Sequence, residues 1–259
     1  MEKDEAQAYG TGIIAGRNAV AEALRSGRAV DSIYVQKGNR HGSINSILAK
    51  ARDRNITIKE VDSRKLDRMT GNANHQGICA QAASAEYKEL EDIFSLAEER
   101  GEPPFIIICD ELSDPHNLGA IIRTAECSGA HGVIVPKRRS AGLTFAVGKT
   151  SAGAVEYVPV VRVTNLVSTI DELKEKGLWI YTADMDGTPW CEQDYSGPCA
   201  VVVGSEGEGV GRLIKEKSDF VISLPMKGKI NSLNASVACG VICYEISRQR
   251  SGLKAVNKA

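Results

Sequence analysis

Short apolar runs alternate along the chain with segments in which apolar residues recur every three or four positions. Runs typical of buried strands are SIYV (32–35), ITIKEV (56–61), GICAQAA (77–83), FIIIC (105–109), GVIVP (132–136), VEYVPVVRV (155–163), LWIYTA (178–183), CAVVVG (199–204) and FVISLP (220–225). Helical periodicity covers residues 16–27, 42–55, 63–70, 116–130, 165–177 and 234–250, and residues 144–154 are helical or irregular. Strands that alternate with helices predict an α/β fold with a mostly parallel sheet covered on both faces.

An acidic stretch over residues 86–104 separates two such modules. We predict a helical linker there, ended by Gly101 and the Pro103-Pro104 pair. It lies between a small module, residues 10–85, and a larger one, residues 105–259. Residues 1–85 carry a formal charge of +4, enough local positive charge for contact with a phosphate backbone. A solvated surface explains an excess of this size nearly as well.

The composition, 42% hydrophobic and 25% charged residues of 259, is typical of a globular protein. No apolar run reaches the length of a bilayer-spanning helix, and the polar N-terminus MEKDEAQAYGTG predicts a short disordered tail rather than a secretory signal. Seven cysteines without a CxxC pair argue against a disulfide framework and a zinc site. We therefore expect no metal, no membrane association and a reducing, cytoplasmic location.

Three polar or glycine-rich segments follow predicted strands, at the sheet edge where open α/β folds bind ligands. In the first, DELSDPHNLGAIIRTAECSGA (110–130), Asn117 is predicted to cap the next helix. Arg123 lies on that helix among apolar residues, so it either extends to solvent or points into a site. The third segment, LPMKGKINSLN (224–234), is a long irregular connection whose Asn234 is placed to cap the last helix.

The second segment, VVVGSEGEGVGRL (201–213), is rich in glycine and acidic. Its glycine spacing matches neither the dinucleotide-binding fingerprint nor the P-loop, and it has no lysine for a phosphate. Glu206 and Glu208 would repel a pyrophosphate that backbone N–H groups otherwise attract. The loop therefore favours a ligand with a positive centre and no phosphate; an ordinary tight strand-to-helix turn is the alternative.

Taken together and in this order, the segments resemble the three motifs of the SpoU/TrmH family of RNA ribose 2′-O-methyltransferases, within the SPOUT class. DPHNLGAIIRTA matches the first motif, VVGSEGEGV the second and LPMKGKINSLNASVA the third, while IAGRNAVAEAL and HQGICAQAA resemble the family's substrate-binding domain. The arrangement is most similar to the bacterial RlmB type, which methylates a guanosine of 23S ribosomal RNA. The resemblance implies S-adenosylmethionine as cofactor, a trefoil-knotted α/β catalytic domain and, before it, a small ribosomal-protein-like α/β domain that binds RNA.

The resemblance also implies roles for individual residues. Arg123 would act as base or as the group that binds the target phosphate and orients the hydroxyl; we favour the second role because arginine stays protonated in proteins. Asn117 would position the target nucleotide, and Glu206 would anchor its loop or pair with a basic group. Ser232 and Asn234 would lie beside the cofactor and Arg123.

Further expectations concern binding. Backbone groups at Gly204, Leu224 and Leu233 would hold the adenine and ribose of the cofactor, next to Ser232 and Asn234. The predicted RNA contacts are Arg17, Asn18, His75, Gln76, Arg138 and Arg139. Family members are dimers, and the small residues of the last predicted helix fit a subunit interface.

Two rival functions have different requirements. A dinucleotide-dependent dehydrogenase needs GxGxxG after the first strand of its domain, and FIIICDELSDPHNLG lacks it. A non-catalytic RNA-binding protein on the same scaffold predicts loss of Arg123 or Asn234, and both are present. If the protein is a methyltransferase, the alternative target is tRNA or another nucleotide of rRNA, methylated by the same chemistry.

Overall fold

The computed structural model describes residues 12–39, 42–205 and 207–253, which fall into two compact units. The first unit holds the described part of residues 1–86 together with Gly142–Gly148, and the second holds Tyr87–Ala141 and the described residues from Lys149 onward. The predicted N-terminal tail and Glu206 lie outside the described residues. Within these residues, no helix combines the length and apolar character that a membrane span requires.

The first unit is a mixed sheet with helices on both faces. Its elements are β1 (Ile13–Ala15), α1 (Arg17–Arg25), β2 (Val30–Gln36), α2 (Ser43–Asp53), β3 (Thr57–Val61), α3 (Ser63–Thr70) and β4 (Ile78–Ala82). The strand order is β1-β4-β2-β3, with β4 antiparallel to β1 and β2 and with β2 parallel to β3. Because strand side chains alternate, Ile33, Ile78 and Ala80 pack with α1 and α2, while Cys79 packs with Leu66 of α3.

The second unit is built on a six-stranded, wholly parallel sheet. From residue 87 onward the elements are α4 (Leu90–Arg100), β5 (Phe105–Cys109), α5 (Pro115–Ser128), β6 (Gly132–Pro136), α6 (Phe145–Thr150), β7 (Val160–Val163), α7 (Leu166–Glu175), β8 (Trp179–Pro189), β9 (Cys199–Val203), α8 (Arg212–Lys217), β10 (Phe220–Ser223) and α9 (Ala235–Arg250). The strand order is β10-β8-β9-β5-β6-β7. Ile106 and Ile108 of the central strand β5 share a core with residues of α4, α7 and α8, and α9 packs against α5.

The acidic segment predicted as a linker is helical and ends at Gly101, which is left-handed with φ 65°. It is also part of the second unit's core. Leu90 and Ile93 of α4 are buried there, and Gly132 makes room for Ile93, since a Cβ on Gly132 would lie 2.3 Å from the Ile93 side chain. The sequence gives this helix the surface charge of a connector, but its buried face packs on the sheet.

The other predicted elements are largely confirmed, with two corrections of extent and two additions. The strand predicted over 155–163 is only Val160–Val163, because Gly153 (φ 89°) starts a 3₁₀ turn over Ala154–Glu156. Strand β8 runs on to Pro189, well past its predicted end at 183, because β10 pairs along it through a register shift. The additions are β1, which is too short to carry a clear periodicity, and the bounds of α8, since the sequence indicated a helix after the glycine loop but not its residues.

Candidate active site

A cavity of about 360 Å³ lies at the carboxyl ends of β9 and β10 and beside the middle of β8. It is lined by residues of three segments, 183–185, 203–209 and 222–238. The second and third polar segments of the sequence therefore meet in one place. Four of the five predicted cofactor contacts, Gly204, Leu224, Ser232 and Leu233, are among its lining residues; Asn234, the fifth, is not.

The glycine loop after β9 folds back on itself. The main chains of Ser205 and Gly209 exchange two hydrogen bonds, with N···O distances of 3.1 and 3.0 Å. A Cβ on Gly204 would lie 2.1 Å from the carbonyl carbon and oxygen of Gly209, and Gly209 itself has φ 67°. Glycine is required at 204 by the close approach of the backbone and is favoured at 209 by the left-handed conformation.

A buried carboxylate anchors the end of this loop. Gly211 donates its N–H to Oδ2 of Asp110 at 2.8 Å, and the Asp110 N–H donates to the carbonyl of Val203 at 2.8 Å. Burial raises the pKa of the Asp110 carboxyl, the Gly211 bond opposes this, and the nearby Glu111 adds to it. Sequence reasoning did not select Asp110; its only local signal is an acid directly after a buried strand.

Asp110 should give the protein's stability a specific pH dependence. A raised pKa in the folded state means that the folded protein binds this proton more tightly than the unfolded chain, so stability falls as pH rises between the ordinary aspartate pKa, about 3.9, and the raised value. We expect Asp110→Asn, which keeps an oxygen acceptor for Gly211, to lose this slope. Urea unfolding of both proteins between pH 4 and pH 7 measures it: the unfolding free energy of the variant minus that of the parent should increase with pH. A constant difference would contradict the assignment.

The first polar segment corrects one prediction. Helix α5 begins at Pro115 and its cap is Asp114, whose Oδ1 accepts from the N–H of His116 at 2.9 Å; Asn117 is not the cap. Proline is well suited to the first helical position because it has no N–H to satisfy and its φ is already helical. Asn117 instead lies in the first turn, 8% exposed, and its Oδ1 accepts from Nδ2 of Asn234 at 2.9 Å.

Asn234 links the third segment to the first. Its Oδ1 accepts from the N–H groups of Ser236 and Val237 at 3.0 and 3.3 Å, so it caps α9 as predicted, while its Nδ2 donates to Asn117. The amide thus has two functions at once: it closes the helix that borders the cavity and fixes the start of α5 beside it.

Arg123 is placed differently from the other predicted catalytic residues. It is exposed and does not line the cavity. Its neighbour Thr124 faces α9, where a Cβ on Gly240 would lie 4.0 Å from the Thr124 methyl group. Helix α5 therefore presents Arg123 to solvent and Thr124 towards α9.

The two arginines predicted for RNA contact in the second unit differ from each other. Arg138 is exposed, whereas Arg139 pairs with Glu111 through an Nη1–Oε1 contact of 2.9 Å. Both partners of this pair have positive φ, 56° and 54°. In the first unit, Arg17, Asn18, His75 and Gln76 come together around a separate polar cavity.

The charge of the first cavity indicates the kind of ligand it fits. Asp184 and Glu208 line it, and its described lining includes no lysine or arginine. Although partial burial acts to raise it, the pKa of Asp184 is held below its ordinary value by Lys215, 2.9 Å away, and by backbone N–H groups. An acidic wall with apolar surface from Leu224 and Leu233 suits a cationic nucleoside better than a phosphorylated one. Sequence reasoning missed Asp184 because it follows the residue at which β8 was predicted to end.

Comparison with known proteins gives this arrangement a family. The model of the SpoU rRNA methylase family matches residues 104–244, and the model for RNA 2′-O ribose methyltransferase substrate binding matches residues 13–88. The chain belongs to the SpoU family of RNA methyltransferases. In this SpoU chain, the described residues hold no group of three or more His, Cys, Asp or Glu side chains placed to bind a metal ion.

Relatives of this SpoU protein cover nearly its whole length. YacO of Bacillus subtilis strain 168, assigned to the TrmH family of tRNA/rRNA methyltransferases, is 48% identical over 92% of this chain and 96% of its own. A TrmH family relative from Staphylococcus haemolyticus is 46% identical over the same shares. These relatives span both units of the SpoU chain.

Solved structures share the fold. The SpoU methyltransferase AviRb from Streptomyces viridochromogenes, in complex with AdoMet, aligns with TM-score 0.59 at 22% identity over 93% of this chain and 90% of its own. A TrmH/SpoU tRNA modifying enzyme of A. aeolicus aligns with TM-score 0.55 at 31% identity over 62% of this chain and 84% of its own. The predicted fold class, a SPOUT-type α/β domain preceded by a small α/β domain, is confirmed.

Two substitutions of Asn234 distinguish the effect of its bond to Asn117 from the effect of its cap on α9. Asn234→Ala removes both, and loss of a cap alone costs about 0.5–2 kcal/mol of stability. Asn234→Asp keeps an oxygen that caps α9 but loses the Nδ2 donor to Asn117. We expect the alanine variant to be less stable in thermal unfolding, the aspartate variant to be close to the parent in stability, and both to lose methyl transfer. Parental activity in Asn234→Asp would show that the link to Asn117 is not needed.

Proposed function

We propose that this protein transfers a methyl group from S-adenosylmethionine to the ribose 2′-hydroxyl of a guanosine in 23S ribosomal RNA. The observation that carries the proposal is the cavity between the second and third motifs, whose described lining is acidic without lysine or arginine and which the Asn117–Asn234 bond connects to the first motif. Membership of the SpoU family and the match to a 2′-O ribose substrate-binding model support the reaction type. The choice of rRNA over tRNA rests on the resemblance to the RlmB type.

Different residues of the chain are assigned to the cofactor and to the RNA. S-adenosylmethionine, when bound, supplies a methyl group already activated by its positive sulfur. The loop of Gly204 and the backbone near Leu224 and Leu233 hold the nucleoside part. Glu208 gives the wall a negative charge that favours a cation, while Asp184 is paired with Lys215. Because the methyl donor is activated, the chain's main task is to position the hydroxyl and assist loss of its proton.

Arg123 and Asn117 are assigned to the RNA side of the site. Arg123 is exposed and outside the cofactor cavity, so its guanidinium is free to bind a phosphate of the target nucleotide in a bidentate manner. Asn117 is held by Asn234 at the start of the same helix, where it positions the nucleotide. Glu206 is assigned to the second motif by resemblance, as the residue that anchors its loop.

Transfer of a radioactive methyl group to separate 23S rRNA, 16S rRNA and tRNA transcripts tests the proposal. We expect incorporation into 23S rRNA, at one guanosine that becomes resistant to alkaline cleavage because its 2′-hydroxyl is blocked. Incorporation into tRNA alone would replace rRNA by tRNA as the substrate. Binding of RNA without methyl transfer to any of the three would leave a non-catalytic RNA-binding protein.

We also propose that the protein acts as a homodimer through α9. Val237, Val241 and Tyr244 lie along one side of this helix and are 51%, 38% and 56% exposed. Apolar side chains at this spacing on a surface helix are typical of an interface.

Sedimentation velocity tests the dimer. We expect Val241→Glu to sediment as a monomer and to lose methyl transfer, because a charge in the centre of an apolar interface is left unpaired. Leu253→Glu, a matched change at an exposed apolar residue beyond the end of α9, should remain dimeric. A monomeric parent protein would remove the proposal.

The cysteines support action in the cytoplasm. All seven are free thiols, and five of them are buried. Burial raises the pKa of Cys79 and of Cys199 to about 11, so these thiols stay protonated and unreactive. Such cysteines are small core residues suited to a reducing compartment.

A further inference from the structure

The first unit has a cavity of its own, about 860 Å³, formed entirely from its residues. Amide side chains dominate its lining: Asn18, Gln36, Asn39, Asn72, Asn74 and Gln76. Among the described residues that line it, the charged ones are Arg17 and Asp67, of opposite sign, together with His75. The described lining is therefore polar, and the charges of Arg17 and Asp67 offset each other.

Hydrogen bonds within the protein hold several of the residues that line this cavity in place. Arg17 donates from its backbone N–H to Oε1 of Gln76 and from Nε to the carbonyl of Gln76, both at 3.1 Å. His75 accepts from the N–H of Gly77 at Nδ1, 2.9 Å, which leaves the proton on Nε2 to be donated to Asp67 at 3.0 Å. The ring is thus held at both nitrogens in one tautomer.

The backbone that carries these groups is in unusual conformations. Gln76 has φ 51° although it is not a glycine, and Gly77 has φ 80°. A Cβ on Gly77 would lie 2.1 Å from Nδ2 of Asn39, so the chain approaches that amide as closely as glycine allows. Backbone strain of this kind is retained mainly where it positions groups for a ligand.

We propose that this cavity binds an unpaired nucleobase of the substrate RNA through the hydrogen-bonding edge of the base; the inference depends on RNA being the substrate, as proposed above. Each amide presents a donor and an acceptor together, which is the pattern that reads base edges. A phosphate would need positive charge, and in the described lining the Nε of Arg17 is already bonded and Asp67 opposes its charge. Bases of loops and bulges can enter such a site because they are unstacked and turned out of the helix.

Binding of short RNAs to the full-length protein, without cofactor, tests the proposal. The probes are octaribonucleotides of A, C and U and an octamer of abasic ribose phosphates. We expect at least one of the base-containing octamers to shift the side-chain amide signals of the cavity in ¹⁵N NMR spectra, and Asn18→Ala to weaken its binding about tenfold, the equivalent of one hydrogen bond to a base. The abasic octamer should bind the parent and Asn18→Ala alike.

A matched control and the salt dependence complete the design. Asn45→Ala removes an exposed amide from α2 of the same unit, outside the cavity, and should change nothing. An uncharged contact leaves the dependence of affinity on salt unchanged, so Asn18→Ala should keep the parent's slope. The NMR shifts are measured on the parent protein, so they report on the cavity whether or not a variant folds well.

The contrary outcomes are distinct. Equal loss of the abasic octamer and the base-containing ones in Asn18→Ala would make the cavity a phosphate site, and the absence of shifts in its amide signals would remove it as an RNA site; either result overturns the inference. Methyl transfer is measured in parallel. Methyl transfer to RNA without any shift of the cavity's amide signals would contradict this inference alone. Base-dependent binding without methyl transfer would contradict the proposed activity alone.

Discussion

Replacing Gly204 with alanine should weaken the binding of S-adenosylmethionine more than tenfold. The added Cβ would lie 2.1 Å from the backbone of Gly209, and backbone cannot move aside as a flexible side chain can. The turn between Ser205 and Gly209 must therefore open, which costs about 1–3 kcal/mol by analogy with overpacked cores, and the wall of the cofactor cavity opens with it. Isothermal titration calorimetry should show affinity for S-adenosylmethionine reduced more than tenfold.

The matched control for Gly204→Ala is Gly197→Ala. Gly197 belongs to the same unit, does not line the cavity, and has no atom within 4 Å of the position its Cβ would take. We expect this variant to bind S-adenosylmethionine as the parent does. Parental affinity in Gly204→Ala would mean that the loop tolerates the clash and that the cavity is not held by it.

Arg123→Ala should lower methyl transfer by about a hundredfold or more, since misplacement of a reacting group by even 1 Å has an effect of that size. Affinity for S-adenosylmethionine should not change, because Arg123 does not line the cofactor cavity. Arg123→Lys keeps the charge but not the planar fork, so it should restore only part of the activity. Methyl incorporation into 23S rRNA and calorimetry with the cofactor measure the two effects separately.

The control for Arg123 is Arg100→Ala, which removes an exposed arginine at the end of α4 in the same unit. It should leave both activity and cofactor affinity intact. If Arg123→Ala kept full activity, the assignment of this residue would be wrong. If cofactor affinity fell in proportion to activity, Arg123 would support the fold of the site rather than the RNA.

The predictions for Gly204 and Arg123 differ in how far the sequence alone supports them. Glycine at 204, 207, 209 and 211 and two carboxylates in one loop already indicate a tight turn beside a cation. The sequence also places Leu224, Ser232 and Leu233 after a strand, and in a parallel sheet the carboxyl ends of strands meet at one edge. These residues do line one cavity in the structure.

By contrast, the helical position of Arg123 does not tell whether it faces the cofactor. Its direction depends on how α5 packs against α9, and the two helices are separated by more than a hundred residues of chain. The sequence also assigned Asn117 to the wrong structural task. A good capping residue near a helix start is a local signal, but the helix begins earlier, at Pro115 with Asp114 as its cap. Asn117 therefore lies in the first turn, where it accepts a hydrogen bond from Asn234.

The sequence by itself determined most of the strands and helices and the loops that carry the chemistry, because each of these depends on residues close together in the chain. Only the tertiary structure decided the strand order, the packing of α4 on the sheet, the Asp110–Gly211 anchor and the Asn117–Asn234 link. These features join residues far apart in sequence. No local periodicity records them, since they arise from the packing of whole elements against one another.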